Sequence, residues 1–487
     1  MTRARTGVAA RRDGFVAACV GGLLVFALGA FGAVYAWAYF PLAVGCALVG
    51  AIAIAGSARA SLSRGLALAL ASIAVAIALQ LVPLPQSAIA AVSPGTERLL
   101  RAYDLDYVKP SIVGSETAAG RSHPLSIAPS RTRTALGLFV GFALLFAGLV
   151  RVLSRVGARW VGLLLIPMAI SVASIGIVQR ALTPPDRPTL VYGFWKPEGV
   201  SVPFGPFVNP NHYAGWVVMA LPLLIGLLYG GIGPGAGKGP GATVEPFTSG
   251  SGAHEERRPL VGVFGALAVF LMAATVLMTG SRSGLVCMVA TLLALGVRIA
   301  RSGPVALSRG AVAVPLALIV VAAAVWAGVD VVAERLSQAP GEAGRLSAWH
   351  DAIRIASDMP LAGSGMNTFA EAMVVYQTAP RALHYYEAHN DYLQVAAEGG
   401  VLVGIPAVLA IALFVRDVRK RFAESPRRGN TYWIRVGAVV GLGGVALQSL
   451  VDFSLQIPAN TILFVVLAAI ALHRSPRLAP APPREPS

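Results

Sequence analysis

The chain has 487 residues, of which 56% are hydrophobic and 13% charged, and its formal net charge is +16. That composition excludes an ordinary soluble globular protein. The positive charge is not a nucleic-acid signature either, because of where along the chain it falls.

Apolar runs of about 18–22 residues recur, long enough to cross roughly 30 Å of hydrocarbon as helices. Backbone in lipid must satisfy its own hydrogen bonds, so such runs are read as helices. The period-two alternation of a membrane barrel is absent. Twelve spans are predicted, over 14–34, 37–56, 65–82, 134–150, 160–179, 211–229, 260–279, 283–297, 310–329, 399–415, 436–450 and 457–473. The first has basic flanks and no clear cleavage site, which predicts a retained helix and not a signal peptide. The fold class is therefore all-α, a polytopic membrane helix bundle of about 12 transmembrane helices with a large, partly helical outer loop. The expected organisation is 1–329 for spans one to nine with outer loops 83–132 and 181–208, 330–397 for the large loop, 398–473 for the last three spans, and 474–487 for a disordered cytoplasmic tail. The three cysteines, Cys19, Cys46 and Cys287, fall inside apolar spans and read as small hydrophobes.

Charge sets the orientation. Alternate connections (1–13, 57–64, 151–159, 231–258, 298–309, 416–435 and 474–487) hold 25 Lys/Arg against 7 Asp/Glu, whereas 83–132, 181–208 and 330–397 hold 11 against 14. This is the positive-inside pattern, and it puts both termini in the cytoplasm. The Gly-rich stretch 231–258 reads as a floppy cytoplasmic linker.

The outer loops have their own grammar. In 83–132, "ERLLRAYDLDY" reads as a surface helix and "HPLSIAPSRT" as an extended stretch. The loop 181–208 is rich in Pro, Gly and aromatics and reads as ordered but non-helical. In 330–397, "GRLSAWHDAIRIASDMP" aligns Leu346, Trp349, Ile353 and Ala356 on one helical face, and Pro360 stops it. Gly363 and Gly365 then form a turn where backbone can come close to a partner, and "EAMVVYQ" reads as another short helix. A loop of this length is not mere connection. Trp195 and Trp216 fit an aromatic belt at the membrane interface.

Ionisable and amide groups gather at one membrane face. Asn209, Asn211 and His212 open the sixth span, Ser281 and Arg282 sit in the turn before the eighth, and Arg345 opens the loop helix. His389, Asn390 and Asp391 open the tenth span, and Asp452 sits in the turn before the twelfth. Arg282 and Arg345 offer planar, permanently charged forks suited to a diphosphate, and the Ser281–Ser283 turn adds hydroxyls and backbone N–H donors. A histidine beside a carboxylate or amide can take a proton from a sugar hydroxyl at neutral pH. Together these describe glycosyl transfer from a polyprenyl-diphosphate donor, whose charged leaving group arginines can stabilise without a metal. Plainer readings also fit: snorkelling for Arg282, a helix-surface charge for Arg345, an interfacial imidazole for His389, a helix cap for Asn390 or Asp391, and a turn for Asn209–Asn211. His123, His350 and His384 read as loop surface. No HExxH, CxxC or carboxylate cluster with metal spacing is present.

The stretches "FGPFVNPNHYAGW", "LMTGSRSGL", "GRLSAWHDAIRIASDMPLAGSGMNTF" and "HNDYLQVAAEGGVLVGIP" occur in the order found in the O-antigen ligase and polymerase-like family of bacterial inner-membrane proteins. With "HPLSIAPSRT" and "VDFSLQIP", the resemblance covers roughly residues 120–460. It implies a glycosyltransferase C superfamily-like fold and a metal-independent, inverting transfer that needs no cofactor. The donor would be an undecaprenyl-diphosphate-linked glycan at the periplasmic face, and the acceptor lipid A–core, a growing glycan or a protein hydroxyl. On the matching motifs, Arg282 and Arg345 would bind the diphosphate and His389 would be the base, oriented by Asn390 or Asp391. Asn211 would line the site, with Asn209, His212 and Ser281 beside it. The family is functionally mixed, so ligase and polymerase both stand. From another class, a transporter or flippase would place its ionisable groups near the midplane or on broken helices, and a scaffold would tolerate alanine across the polar face.

Overall fold

The computed structural model describes residues 2–56, 62–104, 107, 122–184, 187–197, 202–232, 253–301, 340–380, 384–425 and 429–474. The predicted ninth span (310–329), most of the expected linker and the expected disordered tail lie outside the described residues. In chain order the helices are α1 (Thr2–Gly29), α2 (Ala36–Ala55), α3 (Arg64–Leu79), α4 (Gln86–Val92), α5 (Pro94–Tyr103), α6 (Pro129–Val156), α7 (Arg159–Leu182) and α8 (Pro210–Ile232). They continue as α9 (Ala253–Thr279), α10 (Arg282–Ala300), α11 (Pro340–Asp358), α12 (Phe369–Tyr376), α13 (Asp391–Ala423), α14 (Asn430–Gln448) and α15 (Pro458–Leu472). A two-stranded ribbon pairs β1 (Leu84–Pro85) with β2 (Ser122–His123), joining the two ends of the first outer loop. Among the described residues eight helices are long and apolar enough to cross a membrane, and α3 and α15 are shorter apolar helices.

The bundle packs by backbone approach as much as by side-chain interdigitation. Lipid gives no hydrophobic drive between helices, so small residues that bring backbones together carry the association. A Cβ on Gly50 of α2 would lie 2.3 Å from the Leu144 backbone of α6, and one on Gly437 of α14 would lie 2.3 Å from the Pro222 carbonyl oxygen of α8.

The two ends of the bundle differ. At one end arginines tie helix termini together: Arg155 holds Asp13 through two bonds of 2.6 Å, Arg12 donates to Gly56 O at 2.6 Å, and Arg421 donates to Leu472 O at 3.0 Å. Cations at helix C-terminal carbonyls are where the macrodipole favours them. The opposite end carries α4, α5, α11, α12 and the starts of α8, α10 and α13. There Phe31, Tyr35, Trp37, Tyr192, Phe194 and Trp195 form one aromatic cluster, with the Trp195 indole N–H donating to the Tyr35 hydroxyl at 2.8 Å. Trp195 thus fits the expected belt. Trp216 does not: it is fully buried between helices, because α8 runs through the middle of the bundle.

α11 packs through a face other than the one that Leu346, Trp349, Ile353 and Ala356 share. Leu346 and Ile353 are exposed, and the buried face is Ala348, Asp351, Ala352, Ile355 and Met359. Small residues let α11 approach α13 and α12 closely, and buried Asp351 accepts the Thr378 N–H at 2.9 Å.

α13 starts inside the stretch assigned to the large loop and is broken at Gly400 (φ 54°, ψ −157°). The break is spliced to the turn after α11. Val401 and Leu402 donate to the carbonyls of Pro360 (3.0 Å) and Leu361 (2.9 Å), while Ser364 and Gly365 donate to those of Ala397 and Glu398 (2.9 Å each). A Cβ on Gly400 would meet the Leu361 and Pro360 oxygens at 2.6 Å. Gly400→Ala therefore carries both a positive φ and an overlap with backbone, and is expected to cost at least about 1–3 kcal/mol of stability. Thermal unfolding of the purified protein checks this; an unchanged midpoint would contradict the splice.

Candidate active site

The stretch His389–Asp391 is fixed by three neighbours. Asn390 is the N-cap of α13, accepting the Tyr392 and Leu393 N–H groups at 3.0 Å each. Its Nδ2 donates to Leu450 O at 2.9 Å, and the Asp391 N–H donates to Ser449 O at 2.9 Å, so the start of α13 is fastened to the turn after α14. From the other side the Trp349 indole of α11 donates to His389 O at 3.4 Å. Between these anchors His389 adopts φ 53°, a left-handed conformation that is uncommon without glycine and marks a position held by its surroundings.

His389 meets the opening of α8 across one ring. Its imidazole stands edge-on to Phe453 at 4.9 Å, and His212 stands edge-on to the same phenyl at 4.7 Å. His212 is buried and neither ring nitrogen has a hydrogen-bond partner; the same holds for Nδ1 of His389. Asn460 donates to His212 O at 3.0 Å, Gln448 donates to Asn211 O at 3.2 Å, and Asn209 Oδ1 accepts the Asn211 N–H at 2.9 Å. So "NPNH" is a turn at the mouth of α8, as the plainer reading had it, and it also faces the site.

Asp452 ties these parts together. It is fully buried, accepts the Phe453 N–H at 2.9 Å, and takes a long 3.5 Å contact from the Ser283 hydroxyl of α10. Burial pushes its carboxyl above the usual carboxylate range, while the Phe453 N–H, the Arg345 charge, Ser283 and Asn211 pull it back. Ser281 caps α10, accepting the Gly284 N–H at 3.1 Å, and lies 3.5 Å from Ser283. Arg282 follows as the first residue of α10, with an exposed side chain. Arg345 is half-buried on α11, and its charge acts on both Asp452 and His389. Burial, with the Arg345 charge second, holds the His389 imidazole down at about 4. It is thus uncharged at neutral pH and can accept a proton.

One part of the sequence reading needs correcting. Neither Asn390 nor Asp391 orients the His389 imidazole: Asn390 is spent on the cap, and Asp391 Oδ1 accepts from Gln456 at 3.1 Å. The ring is placed instead by its backbone conformation and by Phe453. Asp452 was visible at an outer turn and Ser283 beside Arg282, but Phe453 and Gln448 carried no signal of their own. Their role follows from a turn between α14 and α15 that packs under His389. Among the described residues no group of three His, Cys, Asp or Glu side chains is arranged to hold a metal ion.

Asn390→Ala removes the cap and the bond to Leu450, and is expected to lower stability by about 1–2 kcal/mol. Thermal unfolding of that variant, compared with Asn390→Asp, which keeps the capping oxygen, measures it; an Ala variant as stable as wild type would refute the anchoring.

No curated protein matches the chain. Residues 267–408 match the family described as O-antigen ligase, a stretch that carries Ser281, Arg282, Arg345, His389, Asn390 and Asp391 and stops short of Asp452. Together with eight membrane-length apolar helices, this supports a multi-pass membrane protein of a glycan-transferring family: over its matched stretch the chain is O-antigen ligase-like.

Proposed function

We propose that the chain is a glycosyltransferase that moves a glycan from undecaprenyl diphosphate onto a hydroxyl acceptor at the periplasmic face of the bacterial inner membrane, with both termini cytoplasmic. The observation that carries this reading is the convergence, at one end of the bundle, of an uncharged histidine at His389 with the cationic residue Arg345, beside the α10 N-terminus that bears Arg282.

The chemistry follows from those groups. The acceptor hydroxyl oxygen attacks the anomeric carbon from the face opposite the diphosphate, and the bond from that carbon to the diphosphate oxygen breaks. The hydroxyl proton passes to the His389 imidazole, and the bonding electron pair leaves with the diphosphate. Arg282 and Arg345 offset the charge that grows on the leaving oxygen, an interaction stronger in the transition state than in the ground state. The attack inverts the anomeric centre. Asn211, Asn209, His212 and Ser281 line the approach, and the Asp452 carboxyl interacts electrostatically with the Arg345 charge. Because burial keeps His389 unprotonated, the base is ready without prior loss of a proton. O-antigen ligation and repeat-unit polymerisation use the same step and differ in the acceptor; chain growth on lipid-linked repeat without lipid A–core would assign polymerase.

His389→Ala is expected to reduce transfer by at least about 10²-fold in membranes holding normal amounts of the protein. Transfer near the wild-type rate would remove His389 from the chemistry. Arg345→Ala is expected to lose more activity than Arg345→Lys, which keeps the charge without the fork. The pH dependence gives an independent check. With the His389 pKa lowered to about 4, the base is competent above that value and is lost as pH falls through it. The acid limb of the rate profile is thus expected near pH 4; a limb near 6.5, the ordinary histidine value, would contradict a buried neutral base.

A further inference from the structure

The start of α13 has two polar sides. On one, Gln394 donates to Glu387 at 2.7 Å and to Glu398 at 3.2 Å, and Glu398 accepts the N–H groups of Asn367 and Phe369 at 2.8 and 2.9 Å. These groups have internal partners, and they stand at the head of a largely apolar cavity of about 670 Å³ between α6, α13 and α15. The side that faces Phe453 differs: there several buried polar atoms have no hydrogen-bond partner among the described residues. They are both ring nitrogens of His212, Nδ1 of His389, Gln448 Oε1, Ser454 Oγ and Asn460 Oδ1. Trp216, one turn below His212 on α8, adds a buried indole N–H without a partner. Gln448, Ser454 and Asn460 have no exposed surface, and His212 is 3% exposed.

Packing brings these atoms to one corner. A Cβ on Gly215 of α8 would lie 2.7 Å from Ser454 Oγ and 3.1 Å from Gln448 Oε1, so both oxygens border the space that a larger side chain would fill. Asn460 reaches the same helix mouth through its bond to His212 O at 3.0 Å, and Gln448 through its bond to Asn211 O at 3.2 Å. The His212 and His389 rings each lie within 5 Å of the Phe453 ring centre, and a charge on His389 is felt at His212. None of the unpartnered groups is a carboxylate, an ammonium or a guanidinium. A neutral imidazole offers one donor and one acceptor, an indole a donor, a hydroxyl both, and an amide oxygen an acceptor. Such an even mixture suits neither an anion nor a cation. It suits water, which donates and accepts at once and, when buried, typically makes about three bonds to groups of this kind.

The tautomer of His389 depends on what fills this corner. Its Nδ1 is buried and cannot meet an acceptor hydroxyl, so Nε2 is the nitrogen that can act as base. A neutral imidazole bare at Nε2 carries its proton on Nδ1, and that N–H needs an acceptor. Left without one it pays the cost of a buried unmade hydrogen bond, which favours the other tautomer, protonated at Nε2 and useless as a base. Asn390 cannot supply the acceptor, because its oxygen caps α13. We propose that His212 is a positioning residue for the base: with Ser454, Gln448 and Asn460 it holds buried water that accepts the His389 Nδ1–H and so keeps Nε2 bare. The consequence for rate rests on the transferase reading; the water site and the tautomer do not.

The test uses the full-length protein in phosphatidylcholine nanodiscs, with isotope-labelled histidine read by nitrogen NMR. The chain has seven histidines, and His389→Ala identifies the His389 signals by their loss. The wild type is expected to show His389 protonated at Nδ1 and bare at Nε2, with magnetisation passing from water to the Nδ1–H. His389 protonated at Nε2 overturns the proposal, as does a Nδ1–H that receives nothing from water; both are read on the wild-type protein and need no variant to fold. His212→Phe keeps a ring beside Phe453 and removes both nitrogens. It is expected to shift His389 toward the Nε2-protonated tautomer and to lower kcat about fivefold to tenfold, the worth of one hydrogen bond, with the acceptor KM within about twofold of wild type. His212→Gln, which keeps a donor and an acceptor, is expected to recover most of both. A His212→Phe protein with the wild-type tautomer and kcat overturns the proposal. The two readings fail separately: full transfer by His389→Ala removes the base and leaves the spectra to decide the water site, whereas a bare Nδ1 in a protein that needs His389 for transfer removes the water site alone.

Discussion

A helix that breaks inside or beside a membrane must hand its freed backbone groups to other groups in the protein, because lipid offers none. At Gly400 the handover is complete on both sides: two N–H groups of α13 go to the carbonyls of Pro360 and Leu361, and two carbonyls of α13 take the N–H groups of Ser364 and Gly365. The rest of the site depends on this exchange. It fixes the segment after α11 against the upper part of α13, and so fixes α11, with Arg345 and Trp349, over His389. The same exchange sets the direction of residues 391–399, which places Asp391, Gln394 and Glu398 along one side. Glycine at 363 and 400 is what lets the two backbones meet, since each has a positive φ and a Cβ on either would run into the other strand of the splice.

Much of this was legible in the sequence. Eleven of the twelve predicted spans fall on helices, since apolar length and the demands of lipid on backbone are strong, local signals. The opening of α13 was readable too, because Asn390 is a good cap before an apolar run. What was not legible depends on contacts distant in sequence. The packed face of α11 is chosen by close approach to α13, so Ala348 and Ala352 are inside and Leu346 is outside. Trp216 has the composition of a belt residue and the position of a core residue, because α8 is central in the bundle. Asp452 and Phe453 enter the site only once the α14–α15 turn lies beneath His389.

The site also shows how a membrane protein concentrates charge without placing it at mid-depth. The arginines that tie helix ends at the basic end meet carbonyls and Asp13 there. At the other end the Arg345 charge offsets part of the burial that pushes the Asp452 carboxyl up. That same positive charge disfavours protonation of His389. One arginine thus works against burial at Asp452, favouring its carboxylate form, and with burial at His389, favouring the uncharged imidazole.

α13 divides the two polar faces. On the side of Phe453 lie His389, His212, Asp452 and the arginine-bearing starts of α10 and α11; on the other lie Glu387, Asp391, Glu398 and an apolar cavity. The two faces are set by one short stretch of chain: Glu387 and His389 are two positions apart, with only Ala388 between them. The Asn390 cap and the Asp391 N–H bond to Ser449 O that fix the start of α13 therefore fix both faces at once.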